Sequence, residues 1–146
     1  MTQSSSSSIK SISPYIFLNG DAKDAISPYV DALGATVGGL MHWKDMPAEF
    51  GGCAPVDAER IMHAELSLGP VSFMVADRPS SRDGSLVGNV DINLGFNDAS
   101  ALESAFEKLA VGGKVNMPLH DAFWGDRFGA IIDRFGVNWL FSGPKV

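Results

Sequence analysis

Two amphipathic segments of matching design, "DAKDAISPYVDALG" and "DASALESAFEKLAVGG", constrain this chain more than any other feature. In the first, Ala22, Ala25, Ile26, Tyr29, Val30 and Leu33 recur at spacings of three and four, the stripe of a helix with one buried face. Leu102, Ala105, Phe106 and Leu109 form the stripe of the second. Placing Asp21-Ala22 on Asp98-Ala99 brings Tyr29 onto Phe106 and Gly34 close to Gly112. Each helix follows a strand-like stretch, "IKSISPYIFLNG" or "VGNVDINLGF", and precedes three more. The chain therefore reads as an α+β domain of two tandem βαβββ modules, at about 9–80 and 86–144.

Local signals fill in the elements. Asp21 stands where a cap belongs, and Gly34 where a left-handed stop residue belongs. Pro28 removes a helical hydrogen bond and is expected to bend the first helix. Ser100 and Glu103 have capping-box spacing, and Gly112-Gly113 end the second helix. Further strands are expected at 36–44, 57–68, 71–77, 114–120, 128–133 and 137–142, with a Gly/Pro-rich loop at 45–56 and a linker at 78–85. In 87–96 the alternation puts Asn89, Asp91 and Asn93 on one face and Val90, Ile92 and Leu94 on the other. DRFG occurs at 126–129 and again at 133–136. The second copy lies between two apolar runs, as a hairpin turn does, and a separation of seven puts the copies at opposite ends of one short strand. The echo reads as punctuation.

Composition excludes several roles. The 146 residues suffice for one domain with a real core, and 45% apolar with 19% charged residues is ordinary for a globular protein. The net charge is −6 and no Lys/Arg cluster exists, which argues against nucleic acid and against an anionic membrane surface. No apolar run approaches the roughly 18 residues of a membrane span. Residues 1–8, with their serine run, read as a loose tail, and they lack the basic and apolar regions of a secretory signal. Cys53 is the only cysteine, so no internal disulfide forms, in keeping with a cytoplasmic location.

The stretches "ISPYIFLNGDAKDAISPYVDALGA", "IMHAELSLG", "FMVAD" and "DAFWGDRFGAIIDRFGVNWLF" resemble the PhnB-like branch of the vicinal oxygen chelate superfamily, which holds glyoxalases, bleomycin-resistance proteins and extradiol dioxygenases. The resemblance spans 12–142 and implies two βαβββ modules whose curved mixed sheets enclose a cleft. It also implies a homodimer, since such clefts are often completed by pairing or swapping modules between chains. Metalloenzymes of the superfamily draw four ligands from the first and last strands of each module. Carried over by spacing, those positions are Pro14, about Met74, Asp91 and Leu140, of which only Asp91 suits a hard divalent ion. The expected cofactor is therefore none, with a divalent metal disfavoured. Methyl transfer from an adenosyl donor calls for a Gly-rich strand–helix turn in a parallel sheet, and Asn19-Gly20-Asp21 is not that turn.

The candidate catalytic residues are His63 and Asp91, and the candidate ligand-binding residues are Trp124 and Glu65. His63 and Glu65, at i and i+2, share one face of a strand and can point into a cleft or simply into water. Asp91 occupies a ligand-equivalent position where a carboxylate can act as a base. Trp124, beside Gly125, can form a stacking wall or pack in an interface. Trp43, Trp139 and Phe141 read as core, while Asp77 and Asp133 read as turn-stabilising carboxylates. His42 and His120 fall near corresponding strand ends and read as surface residues. The functional expectation is a cleft that binds a small organic molecule, with metal-independent acid–base chemistry. Two rivals stand beside it: a metal-dependent lyase or dioxygenase using His63, Glu65 and Asp91, and a protein that sequesters a drug or metabolite without turnover.

Overall fold

The computed structural model describes residues 12–84, 88 and 90–146. The expected tail at 1–8, the start of the first expected strand, and Asn89 lie outside the described residues. In the first module, β1 (Tyr15–Leu18), α1 (Ala22–Leu33), β2 (Thr36–His42), β3 (Ile61–Leu68) and β4 (Val71–Asp77) make a sheet of order β1-β4-β3-β2. In the second, β5 (Ile92–Gly95), α2 (Ala99–Ala110), β6 (Lys114–Asp121), β7 (Arg127–Ile132) and β8 (Asn138–Gly143) repeat it as β5-β8-β7-β6. β1 pairs with β4 and β5 with β8 in parallel, and the other neighbours are antiparallel. These are the two mixed-sheet modules read from the sequence. No helix among the described residues is long and apolar enough to cross a membrane.

Alternation decides the faces. In β1, Ile16 and Leu18 are buried while Tyr15 and Phe17 are exposed. α1 buries Ala22, Ala25, Ile26 and Tyr29, and α2 buries Leu102, Ala105, Phe106 and Leu109. These stripes join Ala64, Leu66, Phe73, Val75, Ile131, Trp139 and Phe141 in one core spanning both modules. Tyr29 sits where the modules meet, edge-on to Phe73 at 6.0 Å, Phe135 at 6.1 Å and Trp139 at 5.6 Å. Such aromatic pairs each add about 0.5–1.5 kcal/mol beyond the area they bury.

Several local expectations are corrected. Asp21 makes no capping bond. Asp77 takes its place: one carboxylate oxygen accepts from Gly20 N at 2.8 Å and Ala22 N at 3.0 Å, and the other from Ile61 N at 3.0 Å. A long-range cap of this kind leaves no trace in local spacing. α2 is capped by Asp98, which accepts from Ala101 N at 2.8 Å, and not by a Ser100–Glu103 box; Glu103 instead pairs with Arg127. Pro28 lies inside α1, which continues as one helix to Leu33. Residues Pro55–Asp57 form a 3₁₀ turn, so β3 starts at Ile61 and not at Asp57. β5 starts only at Ile92, where pairing with Trp139 of β8 begins, which leaves Asp91 outside the strand. Trp43 is half-buried, not core, whereas Trp139 and Phe141 are fully buried as expected.

The second DRFG is the hairpin turn between β7 and β8: Asp133 N donates to Val137 O at 2.9 Å, and Gly136 takes a φ of 91° that only glycine adopts without strain. It is more than punctuation, however. Asp133 is buried, and its Oδ1 accepts from Phe135 N at 2.9 Å and Val137 N at 3.0 Å. Its Oδ2 accepts from Trp139 Nε1 at 2.8 Å and from Tyr29 Oη of the other module at 2.7 Å.

Burial, reinforced by the Asp133 carboxylate, pushes the Tyr29 hydroxyl far above its ordinary value of 10.0. A folded-state value raised in this way stabilises the protein fully below pH of about 10, and that contribution is lost as pH climbs beyond it. Tyr29→Phe is expected to lower the unfolding free energy by about 1–3 kcal/mol at pH near 7 and to flatten the alkaline loss of stability. Urea titrations at neutral and alkaline pH check this, and unchanged stability at neutral pH would refute the joint.

Candidate functional site

The open face of the first sheet gathers the candidate chemistry. Register places Tyr15 beside Met74 and Met74 beside Glu65, while Met41 lies beside His63. These side chains, with Phe17, point away from α1. Tyr15 and Phe17 stack with ring centroids 4.4 Å apart and planes within 10°. Tyr15 reaches across β4, and its Oη lies 2.8 Å from His63 Nδ1, with the two rings edge to face at 5.8 Å. Partial burial raises the Tyr15 hydroxyl above its usual value, so it keeps its proton. Where this hydroxyl is the donor, the imidazole accepts at Nδ1 and carries its hydrogen on Nε2. The result is an oriented histidine on a shelf of aromatic and methionine side chains.

Of the four residues singled out by sequence, the structure brings His63 and Glu65 to one face but gives them different partners. Glu65 is exposed and accepts from Ser72 Oγ at 3.1 Å. Asp91 is exposed and belongs to the second module. Trp124 stands 53% exposed in the turn between β6 and β7, edge-on to Phe128 at 5.3 Å and Phe123 at 5.0 Å. Among the described residues, no three of His, Cys, Asp and Glu converge as a metal would need. His42 bonds within its own turn through Asp45, and His120 Nδ1 lies 2.9 Å from Pro118 O. Sequence reasoning missed Tyr15 and Phe17, although strict alternation in "PYIFL" places both on one side.

The paired strands also correct the carry-over between modules. The inward residues of β1 are Ile16 and Leu18, and those packed on the core from β5 are Ile92 and Leu94. Ile16 pairs with Val75 as Ile92 pairs with Trp139. With Ile16–Val75 set on Ile92–Trp139, Tyr15 and not Pro14 answers to Asp91, and Ala76 answers to Leu140. A phenol, an alanine and a leucine then share these positions with one carboxylate. That donor set does not fit a divalent ion.

A model of the Glyoxalase/Bleomycin resistance protein/Dioxygenase superfamily matches residues 11–141. With two βαβββ modules in place, the chain belongs to that superfamily. Protein YjdN of Escherichia coli (strain K12) is 28% identical over 145 residues, covering 92% of this chain and 95% of that protein. Uncharacterized protein Rv0887c of Mycobacterium tuberculosis is 30% identical over 142 residues, covering 91% of this chain and 74% of its own length. Among solved structures, protein PA1353 from Pseudomonas aeruginosa matches with a TM-score of 0.83 and 32% identity, covering 92% of this chain and 98% of that one. The PhnB protein from Bacillus cereus shares the fold at a TM-score of 0.75 and 18% identity, over 92% of this chain and 99% of that one.

The Tyr15–His63 bond has its own signature. Long-range ¹H–¹⁵N correlation spectra are expected to show His63 with its proton on Nε2, and Tyr15→Phe to shift population toward the Nδ1–H form. A tautomer indifferent to Tyr15 would mean that the bond does not orient the ring.

Proposed function

We propose that the protein binds a small organic molecule on the open face of its first sheet, with His63 as the polar contact and proton-transfer group and Tyr15 as its orienting partner. The observation that carries this reading is the 2.8 Å Tyr15–His63 bond set among apolar side chains that are left exposed. Tyr15 is 39%, Phe17 42% and Met41 38% exposed, an apolar area that water solvates poorly and a flat ligand covers well. Glu65 rims this face. Asp91, as the counterpart of Tyr15, and Trp124 are the polar and stacking elements of the second module. The proposed chemistry is metal-independent, because Asp91 alone among the superfamily's ligand positions offers a donor suited to a hard divalent ion.

The protein is further proposed to be a homodimer. The edge strands β2 and β6 leave Val37, Leu40 and Met41, and Val115 and Met117, exposed in corresponding places. An unpaired strand edge bearing apolar side chains is a natural surface for a second copy.

A thermal-shift screen of small organic compounds tests the reading on wild type, His63→Ala and Asp91→Asn. Compounds at about 100 times their Kd are expected to stabilise wild type by about 2.7 kcal/mol. His63→Ala abolishes most of that gain, while Asp91→Asn alters it less. Equal shifts in wild type and His63→Ala would place binding elsewhere. Sedimentation velocity is expected to show a dimer that Leu40→Asp together with Met117→Asp dissociates; a monomeric wild type would refute the oligomeric proposal.

A further inference from the structure

We propose that the ligand carries a carboxylate on a flat aromatic body, and that the carboxylate is held by Arg78 and Arg82 at the end of the same face. This rests on the reading that the open face of the first sheet binds small molecules. Beyond Phe17 the face runs into a cavity of about 390 Å³ lined by Phe17, Trp43, Met62, Asp77, Arg78, Pro79 and Arg82. Its walls are two aromatic rings and a thioether, and its charged groups are two guanidiniums and the Asp77 carboxylate, whose oxygens are turned to backbone amides. The Arg78 Cζ lies 5.7 Å from the centre of the Phe17 ring, which holds the guanidinium at the rim of the aromatic shelf.

The carboxylates nearby are already engaged. Asp77 spends its oxygens on three backbone amides, from Gly20, Ala22 and Ile61. Asp57 accepts from Ser80 N at 3.0 Å and lies 3.6 Å from Arg60 Nε. Asp83 takes both Arg60 terminal nitrogens, at 2.9 and 3.2 Å. Of the three neighbouring arginines, Arg60 is thus committed to structure. Among the described residues, neither the Arg78 nor the Arg82 side chain has an ion-pair partner or a hydrogen bond.

The backbone that carries these two groups is also fixed. Arg78 N donates to Leu18 O at 2.9 Å, and Arg78 O accepts from Arg60 Nη1 at 2.9 Å. The 3₁₀ turn Ser80–Arg82 is tethered through Ser80 to the buried Asp57. Trp43 is held by Nε1 donating to Asp77 O at 3.0 Å. Two guanidiniums without an ion-pair partner among the described residues, on a pinned segment beside aromatic walls, on a protein of net charge −6, form a local site for one anion. A guanidinium fork matches a carboxylate, and the rings match a planar body.

The test uses full-length protein, 2-naphthoate as probe and its neutral amide, 2-naphthamide, as control, by isothermal titration. Naphthoate is expected to bind at least about tenfold more tightly than the amide, and Arg78→Gln and Arg82→Gln each to weaken naphthoate by about tenfold while leaving the amide unchanged. Trp43→Leu weakens both compounds. Thermal melts confirm that each variant folds. If naphthoate fails to bind, or binds the glutamine variants as it binds wild type, the inference is overturned, whatever the His63-dependent screen returns. If naphthoate loses affinity in the arginine variants but not in His63→Ala, the anion site stands and the proposed role of His63 falls.

Discussion

A buried carboxylate is tolerable only where donors surround it, and Asp133 has four. Two backbone amides of its own turn, the Trp139 indole and the Tyr29 hydroxyl converge on its two oxygens. The first three bonds close the β7–β8 hairpin. The fourth comes from α1 and crosses between modules at the centre of the aromatic contact among Tyr29, Phe73, Phe135 and Trp139. Losing the Tyr29 donor leaves Oδ2 with the Trp139 indole alone, at a cost of about 1–3 kcal/mol. The arrangement of the modules therefore has a directional lock within a seam that is otherwise non-directional packing.

Asp77 does the corresponding work inside the first module. Its carboxylate joins the start of α1 to the start of β3, and its carbonyl holds Trp43. Arg60 adds the loop beyond β4 through Asp57 and Asp83. Structural polarity is thus concentrated at strand ends and turns. The middle of the first sheet's open face is left to aromatic and methionine side chains with one oriented histidine. That division lets a face expose apolar side chains without being disordered: the charges that fix the frame lie at its ends.

Periodicity made the frame legible. Helix stripes at three and four, strict alternation in "PYIFL" and the spacing of glycines all act over a few residues, so "DAKDAISPYVDALG" and "DASALESAFEKLAVGG" announce their helices directly. Tertiary partnership was not legible. Asp77 caps a helix 55 positions away in sequence, and Tyr29 reaches Asp133 across 104. Asp133 read as a turn residue because its local bonds are those of a turn, while the bonds that matter most come from elsewhere. Tyr15 escaped notice for a similar reason. Its neighbours in sequence are apolar, and only the β1-β4-β3 strand order brings it to His63. Position-by-position transfer of metal ligands slipped by one residue in β1, because spacing from the helix start ignores which side of the strand faces the core.

The two modules present similar sheets whose open faces carry different residues. Matching Ile16–Val75 to Ile92–Trp139, and following the register into β3 and β7, sets Ala64 against Ile131. His63 then answers to Ala130 and Glu65 to Ile132, while Tyr15 answers to Asp91 and Phe17 to Asn93. The first module keeps the titratable pair on its inner strand and aromatic rings on its edge strand. The second keeps apolar residues on the inner strand and an acid with an amide on the edge. A symmetric pair of faces could serve a metal held equally from both sides, each module giving the same donors. Faces that differ this much offer no such matched set of donors, and their unlike side chains present different chemistry on the two modules. The asymmetry is therefore a physical reason to expect directional binding from a fold built by repetition.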